Sequence, residues 1–382
     1  MYSHFIQFVV PRIGQALIAV VLYLNFLTLP FVQPLMGTPW AFFGLPFLLL
    51  AALGWLARDP LGAGLAAVAQ LCGIYAAGDV LMLAAFLLGG PVYSVCALVW
   101  QGGLLAWEVT ALLLLWGWRK AVRLRTTCYA LTTQKPLPGG RLRVVQISDL
   151  HPGQGAMDRR RIPELYERVA QLEPDLLVLT GDIFDEFTVR EDFDAFCALF
   201  GRWQAPGGKW FVVGNHDLFH YWHEPSYTRT DLEEKFCRCR CGIPGGSGSL
   251  RDLPGRGHTP VRVVGRKDWL DTGGKRMAPA ELQPGGPDGV FTLWLDHEPR
   301  ELRDAAAAGA DLIFSGHTHG GQIWPAGLVA KLFRYNEVNY GCKRVTDTCT
   351  AVVSGGTGTW GYKLRTAGRT EIVCVDIAGK ME

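Results

Sequence analysis

Residues 311–322 read DLIFSGHTHGGQ, an apolar run, Leu312-Ile313-Phe314, that stops abruptly in glycines and two histidines one residue apart. A short apolar run bounded by glycine is the pattern of a buried strand. The same arrangement recurs along the chain. Arg143–Ile147 runs into Ser148-Asp149-Leu150-His151, Asp175–Leu179 into Thr180-Gly181-Asp182, Lys209–Val213 into Gly214-Asn215-His216-Asp217, and Val290–Leu295 into Asp296-His297-Glu298. Helical patterns at 160–172, 191–200 and 300–308 separate these strands, and further strands are predicted at 261–264, 350–353 and 372–376. Alternation of this kind is the signature of an α/β domain. Ligands of an open α/β sheet gather at strand ends, so five polar strand ends read as one shared site.

The residue types at those ends narrow the chemistry. Asp149, His151, Asp182, Asn215, His297, His317 and His319 are oxygen and imidazole donors with no thiolate among them, a set that suits Mn, Fe or Zn rather than a cysteine-bound structural zinc. One tetrahedral ion cannot use seven donors. Two divalent metal ions about 3.5–4 Å apart, sharing one carboxylate, would use them all and leave room for a nucleophile and a phosphate oxygen. A lone Asp after a strand is an ordinary turn or helix cap; five such ends together make the cap reading of Asp149 weak. The glycines around His317 and His319 are expected to let the backbone turn tightly enough for both imidazoles to face metal.

The ordered set Asp-x-His, Gly-Asp, Gly-Asn-His-Asp, a lone His and Gly-His-x-His resembles the calcineurin-like metallophosphoesterase superfamily. The fuller wording VVQISDLH, PDLLVLTGDIFD, VVGNHD, LDHEP, DLIFSGHTHGGQI and RTEIVCVDI is similar to its membrane-associated bacterial branch, the YkuE- and YaeI-like proteins, over about residues 141–378. Pro152, where a Leu is expected, is a departure that leaves both neighbouring donors in place. The resemblance implies a calcineurin-like αββα sandwich. It also implies that Asp149, His151, Asp182 and His319 hold one metal and that Asp182, Asn215, His297 and His317 hold the other, with Asp182 bridging. His216 would be a proton donor or phosphate contact over the leaving oxygen, with Asp217 orienting it or a neighbouring group. Arg266, in a GRxD-like segment, is expected to touch phosphate or to brace a ligand loop, and Arg365, in the GGTGTWGYKLR loop, is a second candidate substrate contact. Asp296 and Glu298 are expected to point away from the metals, and His220, His223 and His258 to be surface or substrate-side residues.

Upstream of this domain the composition changes. Residues 1–118 hold almost no charge, and apolar runs at about 13–32, 38–57, 61–88 and 92–118 are each long enough for a membrane helix, which takes about 20 residues. The first run is read as a retained span rather than a cleaved signal. The fold class is therefore a multi-pass α-helical membrane domain (1–120, four helices), a basic juxtamembrane segment and linker (121–140), and a metallophosphoesterase domain (141–382). Arg12, Arg58, Arg119, Lys120, Arg123 and Arg125 all flank the same side of the four spans. The positive-inside rule then puts the C-terminal domain in the cytoplasm, on the inner membrane. Eight of the ten cysteines lie in that reducing compartment, so no disulfide is required.

Three local features have competing readings. Asp79 and Glu108 fall inside predicted spans, where carboxylates are functional candidates, yet hydrogen bonding to another helix explains them equally well. Cys237, Cys239 and Cys241 offer soft donors, but they follow the helical run 231–236 and end at Gly242, the pattern of an ordinary helix terminus that puts Cys237 and Cys241 on one face. The net charge of +2 gives no reason to expect a nucleic-acid partner. The reading is thus a membrane-anchored, binuclear-metal phosphohydrolase acting on a phosphoester or pyrophosphate bond. A lipid-linked substrate of the UDP-diacylglucosamine type is the leading candidate. A membrane sensor that binds a phosphorylated ligand without turnover, and a regulatory module of a transporter-like domain, are the alternatives.

Overall fold

The computed structural model describes residues 63–100, 104–153, 155–217, 226–238, 241–242, 249–252, 259–269, 272, 275–282 and 289–380. The chain divides into two units, Met1–Gly117 and Trp118–Glu382. In the first, helix α1 runs Ala63–Leu88 and α2 Gly90–Trp100, and α3 begins at Leu104 and continues to Val122 in the second unit. Leu71, Cys72 and Tyr75 of α1 pack with Ala106 of α3. The span predicted at 61–88 falls on α1, and the described parts of the one predicted at 92–118 are helical, in α2 and α3, with residues 101–103 between them outside the described residues. Among the described residues one helix, over Ala67–Leu88, is long and apolar enough to cross a membrane. The spans predicted at 13–32 and 38–57 lie outside the described residues.

In the second unit, period-2 alternation of apolar residues builds two sheets with two covered faces each. Strands β1 (Arg125–Pro136), β2 (Arg141–Ile147), β3 (Leu176–Thr180), β4 (Lys209–Val212), β5 (Cys241–Gly242) and β12 (Glu371–Lys380) form one sheet in the order β1-β12-β2-β3-β4-β5. Strands β6 (Ser249–Asp252), β7 (Pro260–Gly265), β8 (Phe291–Leu295), β9 (Leu312–Ser315), β10 (Gly341–Arg344) and β11 (Thr350–Val353) form the other, in the order β10-β11-β9-β8-β7-β6. Pairing is parallel along β2-β3-β4 and along β7-β8-β9-β11. The C-terminal ends of these strands therefore all open toward the same loops.

The register decides the layers. Leu142, Val144 and Val178 from the first sheet pack with Leu293, Leu312 and Phe314 from the second, forming the core between the sheets. Their neighbours one residue along, Val145, Ile147 and Leu177, face outward onto α4 (Ile162–Gln171), α5 (Arg190–Arg202) and α6 (Arg229–Arg238), through Leu165, Phe196 and Phe236. On the far side Trp294 and Ile313 pack under α7 (Leu302–Ala307). The result is a four-layered αββα sandwich. Removing a buried ring such as Phe196 or Phe314 would leave a void costing about 3–5 kcal/mol.

Two expectations are corrected by these elements. Residues 125–136, expected within a linker, are the edge strand β1, paired in parallel with β12 from Arg125 opposite Glu371 onward. The β-branched and aromatic run Thr126-Thr127-Cys128-Tyr129 favours a half-buried strand, and the Pro/Gly signal that marked a boundary belongs to the turn at 138–140. Helix α6 ends at Arg238, and Cys241 starts a strand beside β4. Cys237 and Cys241 therefore do not share a helix face. Asp79 accepts a long hydrogen bond from Trp100 Nε1 at 3.5 Å, within the first unit.

Candidate metal centre

Five strand ends supply the site, and the backbone there is unusual. Asp149, His151, Asp182, His317 and His319 all adopt positive φ, between 44° and 69°. Non-glycine residues take that conformation rarely, and strain of this sort collects at functional sites. The left-handed conformation expected of the glycines around His317 is thus taken by the histidines themselves, as well as by Gly320 and Gly321. Gly316 serves differently: a Cβ there would lie 1.9 Å from Ser148 Oγ and 2.3 Å from Asp149 Oδ2, so only glycine lets these two strand ends approach.

Two groups of donors result. Asp149, His151 and His319 place ligand atoms within 4.8 Å of one another, and Asp182, His297 and His317 do the same; these are the two such groups among the described residues. Asp182 sits between them. Its Oδ2 is 3.0 Å from His297 Nε2 in one group and 3.8 Å from His151 Nε2 in the other. Asn215 joins the His297 group, its Oδ1 lying 3.2 Å from His297 Nε2 and 3.0 Å from His317 Nδ1. All seven sequence-predicted donors are thereby in one cluster.

Hydrogen bonds behind the donors orient them. His297 Nδ1 donates to the Thr180 carbonyl at 2.7 Å, which leaves Nε2 as its ligand atom. His151 Nδ1 is 3.1 Å from Asp185 Oδ2, and His216 Nδ1 is 2.8 Å from Glu186 Oε2. Of the two expectations for Asp217, orienting His216 or a neighbouring group, the second matches its hydrogen bonds. Its carboxylate accepts the backbone N–H groups of Asp182 at 2.7 Å, Gly214 at 2.8 Å and Phe184 at 2.9 Å, tying the second strand end to the third. Asp185 and Glu186 escaped the sequence reading. Their signal was the acidic pair three and four residues after Asp182 in GDIFDE, which has no strand-end position and resembled a turn.

Electrostatics test whether cations fit. Burial opposes charge on His151, yet the hydrogen bond to Asp185 and the carboxylates of Asp182 and Asp149 outweigh it and raise the imidazole to about 9. His297 is raised as well, against burial, chiefly by Asp182. His317, by contrast, is pushed down to about 3 by burial and by the charge of His297. Burial and Asp182 lift the Asp217 carboxyl to about 7 against its three N–H donors. The acidic pocket thus calls for positive charge that imidazoles satisfy only by competing with each other. Two cations would meet that demand and leave the imidazoles neutral, as ligation requires. His151 Nε2 and His319 Nδ1 are moreover buried with no hydrogen-bond partner. Donor chemistry, orphaned nitrogens and charge demand all fit a binuclear centre.

The two candidate substrate arginines are both engaged by protein groups, Arg266 in the bracing role that was one of its two readings. Arg365 is fully buried and donates to the carbonyls of His319 at 2.6 Å and Gly358 at 2.8 Å. Arg266, 2% exposed, donates to the Met277 carbonyl and pairs with Asp296 at 3.3 Å and Glu301 at 2.7 Å. Arg276, which the sequence reading missed, pairs with Asp296 and Glu298. Both flanking acids of His297 are therefore taken up by arginines, as brackets of the ligand loop. His220, His223 and His258 lie outside the described residues.

A cavity of about 370 Å³ opens over the donors. Its floor is Asp182, Asn215, His216, His317 and His319, and Ile323, Ala326, Ala330 and Trp360 make one wall apolar. His216 is 13% exposed at the boundary between the two, its ring 5.7 Å from that of Trp360. A phosphoryl group on the floor would have its leaving oxygen within reach of an imidazole.

Comparison with known proteins gives the family context. Residues 142–321 match the family described as Calcineurin-like phosphoesterase. An uncharacterised metallophosphoesterase of Campylobacter jejuni is 26% identical over 63% of this chain, which spans only 60% of that relative's length. An uncharacterised metallophosphoesterase of Aquifex aeolicus is 28% identical over 67% of this chain and 93% of its own. A transmembrane protein with metallophosphoesterase domain from Danio rerio is 30% identical over 60% of this chain and 52% of its own.

Proposed function

We propose that the chain, whose residues 142–321 match the family described as Calcineurin-like phosphoesterase, is a membrane-anchored, metal-dependent hydrolase of a phosphate ester or pyrophosphate. The observation that carries this reading is Asp182 Oδ2, set between His297 Nε2 at 3.0 Å and His151 Nε2 at 3.8 Å. One carboxylate so placed belongs to both donor groups. Asp149, His151, Asp182 and His319 would hold one divalent ion and Asp182, Asn215, His297 and His317 the other. When bound, such a pair supplies Lewis-acid chemistry, neutralising phosphoryl oxygens and acidifying water near neutral pH.

The chain's own residues do the rest. Glu186 engages His216 Nδ1, so Nε2 is the nitrogen that passes a proton to the leaving oxygen. Asp217 holds the backbone of Asp182 and Gly214 in place, and Arg365 holds the carbonyl of His319. The purified full chain is expected to hydrolyse a generic aryl phosphodiester with Mn²⁺ and to lose that activity on chelation. Phosphate binding without hydrolysis under any divalent metal would instead support the sensor reading.

Membrane anchoring is supported by α1. Over Ala67–Leu88 it is apolar and mostly unburied, with Leu81, Phe86 and Leu87 exposed, as suits a helix in lipid. The multi-pass arrangement, the inner membrane and the cytoplasmic side follow from the apolar runs and their basic flanks. A C-terminal reporter that is active only in the cytoplasm tests the orientation; an extracytoplasmic signal refutes it. An anchored enzyme meets membrane substrates at raised local concentration, and the apolar wall of the cavity suits a phosphate ester with an acyl or polyprenyl portion. A lipid-linked pyrophosphate of the UDP-diacylglucosamine type is the leading candidate.

A further inference from the structure

Between the His317–His319 turn and β10, the twelve residues Trp324–Tyr335 present six large apolar or aromatic side chains to the outside. Leu328 is 60% exposed, Leu332 74% and Phe333 64%, and Trp324, Val329 and Tyr335 are exposed as well. Helix α8, Ala326–Leu332, forms the middle of this stretch. The stretch is pinned rather than loose: Trp324 N–H donates to Thr366 Oγ1 at 2.8 Å and Asn339 Nδ2 to the Gly327 carbonyl at 3.1 Å. Monomeric proteins seldom leave so contiguous an apolar face in water.

The composition says what covers it. Lys331 and Arg334 are exposed within the stretch, and there is no Asp or Glu from Ile323 to Asn336. Leucine and valine beside Trp, Tyr and cations, without carboxylates, is the make-up of a surface that lies in the headgroup region of an anionic bilayer. A second copy docked face to face would bring two pairs of cations together with no carboxylate in the stretch to answer them. The opposite side of the same helix matters equally: Ala326, Gly327 and Ala330 line the cavity over the donors. One helix separates the exposed patch from the site.

We propose that Trp324–Tyr335 is an interfacial element that inserts into the lipid headgroup layer and sets the mouth of the cavity against it. The consequence for substrate choice, a phosphate ester whose apolar part stays in the bilayer, rests on the phosphoesterase reading above; the docking itself does not.

The full chain reconstituted in phosphatidylcholine and phosphatidylglycerol vesicles, with a diazirine in the acyl chains of some lipids, tests this by peptide mapping after illumination. Label is expected on 324–335 in addition to Ala67–Leu88. In the variant Leu328→Ser, Leu332→Ser, Phe333→Ser it should fall roughly tenfold on the first peptide and be unchanged on the second. These side chains are exposed and outside the cavity lining, so soluble aryl phosphodiester turnover should stay within about twofold of wild type and confirm folding. Absence of label on 324–335, persistence of that label in the variant, or cross-links between copies through Lys331 in place of lipid label would overturn the proposal. Labelling without hydrolysis would sink only the enzyme reading, and hydrolysis without labelling only the docking.

Discussion

Replacing Asp182 by Asn is expected to remove metal from both positions at once and to lower turnover by about three orders of magnitude or more. Asn keeps the shape and can still accept the backbone N–H of His216 that Asp182 Oδ1 accepts at 2.8 Å. What it lacks is the negative charge. Burial works against that charge, but His297, His216 and His151 more than offset it and hold the carboxyl well below its usual range. The two donor groups would each be left with one fewer anion, in a pocket where Asp149 is the other carboxylate among the proposed ligands. Metal analysis of the purified variant should give at most one ion per chain against two in the parent, with an unchanged circular dichroism spectrum. Two ions retained and full activity would remove Asp182 from the bridge.

His216→Ala is expected to separate chemistry from metal binding. His216 lines the cavity floor, and its partner is Glu186 rather than a metal-group carboxylate. Loss of a proton donor costs about 10²–10⁴ in rate, so kcat should fall by that range while both ions stay. Glu186→Gln keeps a neutral hydrogen-bond partner and removes the charge that orients the imidazole, for which about a tenfold loss in kcat is expected with KM little changed. Glu186→Asp should recover part of it. If the two His216 and Glu186 variants lost metal in parallel with activity, the pair would be structural. If Glu186→Gln left kcat and its pH profile unchanged, the orienting role would be lost.

The α/β layers were legible because strand and helix periods differ, and the run of apolar residues before each polar cluster, as in 311–315, marks a strand buried on both faces. The edge strand β1 was not legible in the same way. It is half exposed, with polar threonines alternating outward, and its identity depends on pairing with β12, which lies more than two hundred residues later.

Within the site, the seven donors could be picked out by type and position, but their supports could not. Glu186 and Asp185 look like any acidic turn, and only the approach of the first, second and third strand ends brings them to His216 and His151. Arg266 and Arg365 resembled phosphate contacts because free guanidinium groups near a phosphatase motif suit that role. The fold closes them off and spends their donors on Met277, His319 and Gly358 carbonyls. The apolar stretch 324–335 gave no warning in sequence either. Leucines and a tryptophan carry no sign of their exposure, which is set by where the sandwich leaves them.

By itself, then, the amino-acid order determined the α/β architecture and the candidate donor set, because residue type and strand period are local properties carried by neighbours in the chain. The tertiary structure decided the distances: that the donors gather in two groups with Asp182 Oδ2 between them, that Glu186 meets His216, and that a helix separates the cavity from an exposed apolar face. Those depend on distances between strand ends far apart in sequence, and on left-handed backbone at Asp149, His151, Asp182, His317 and His319 that only the assembled sheets hold in place.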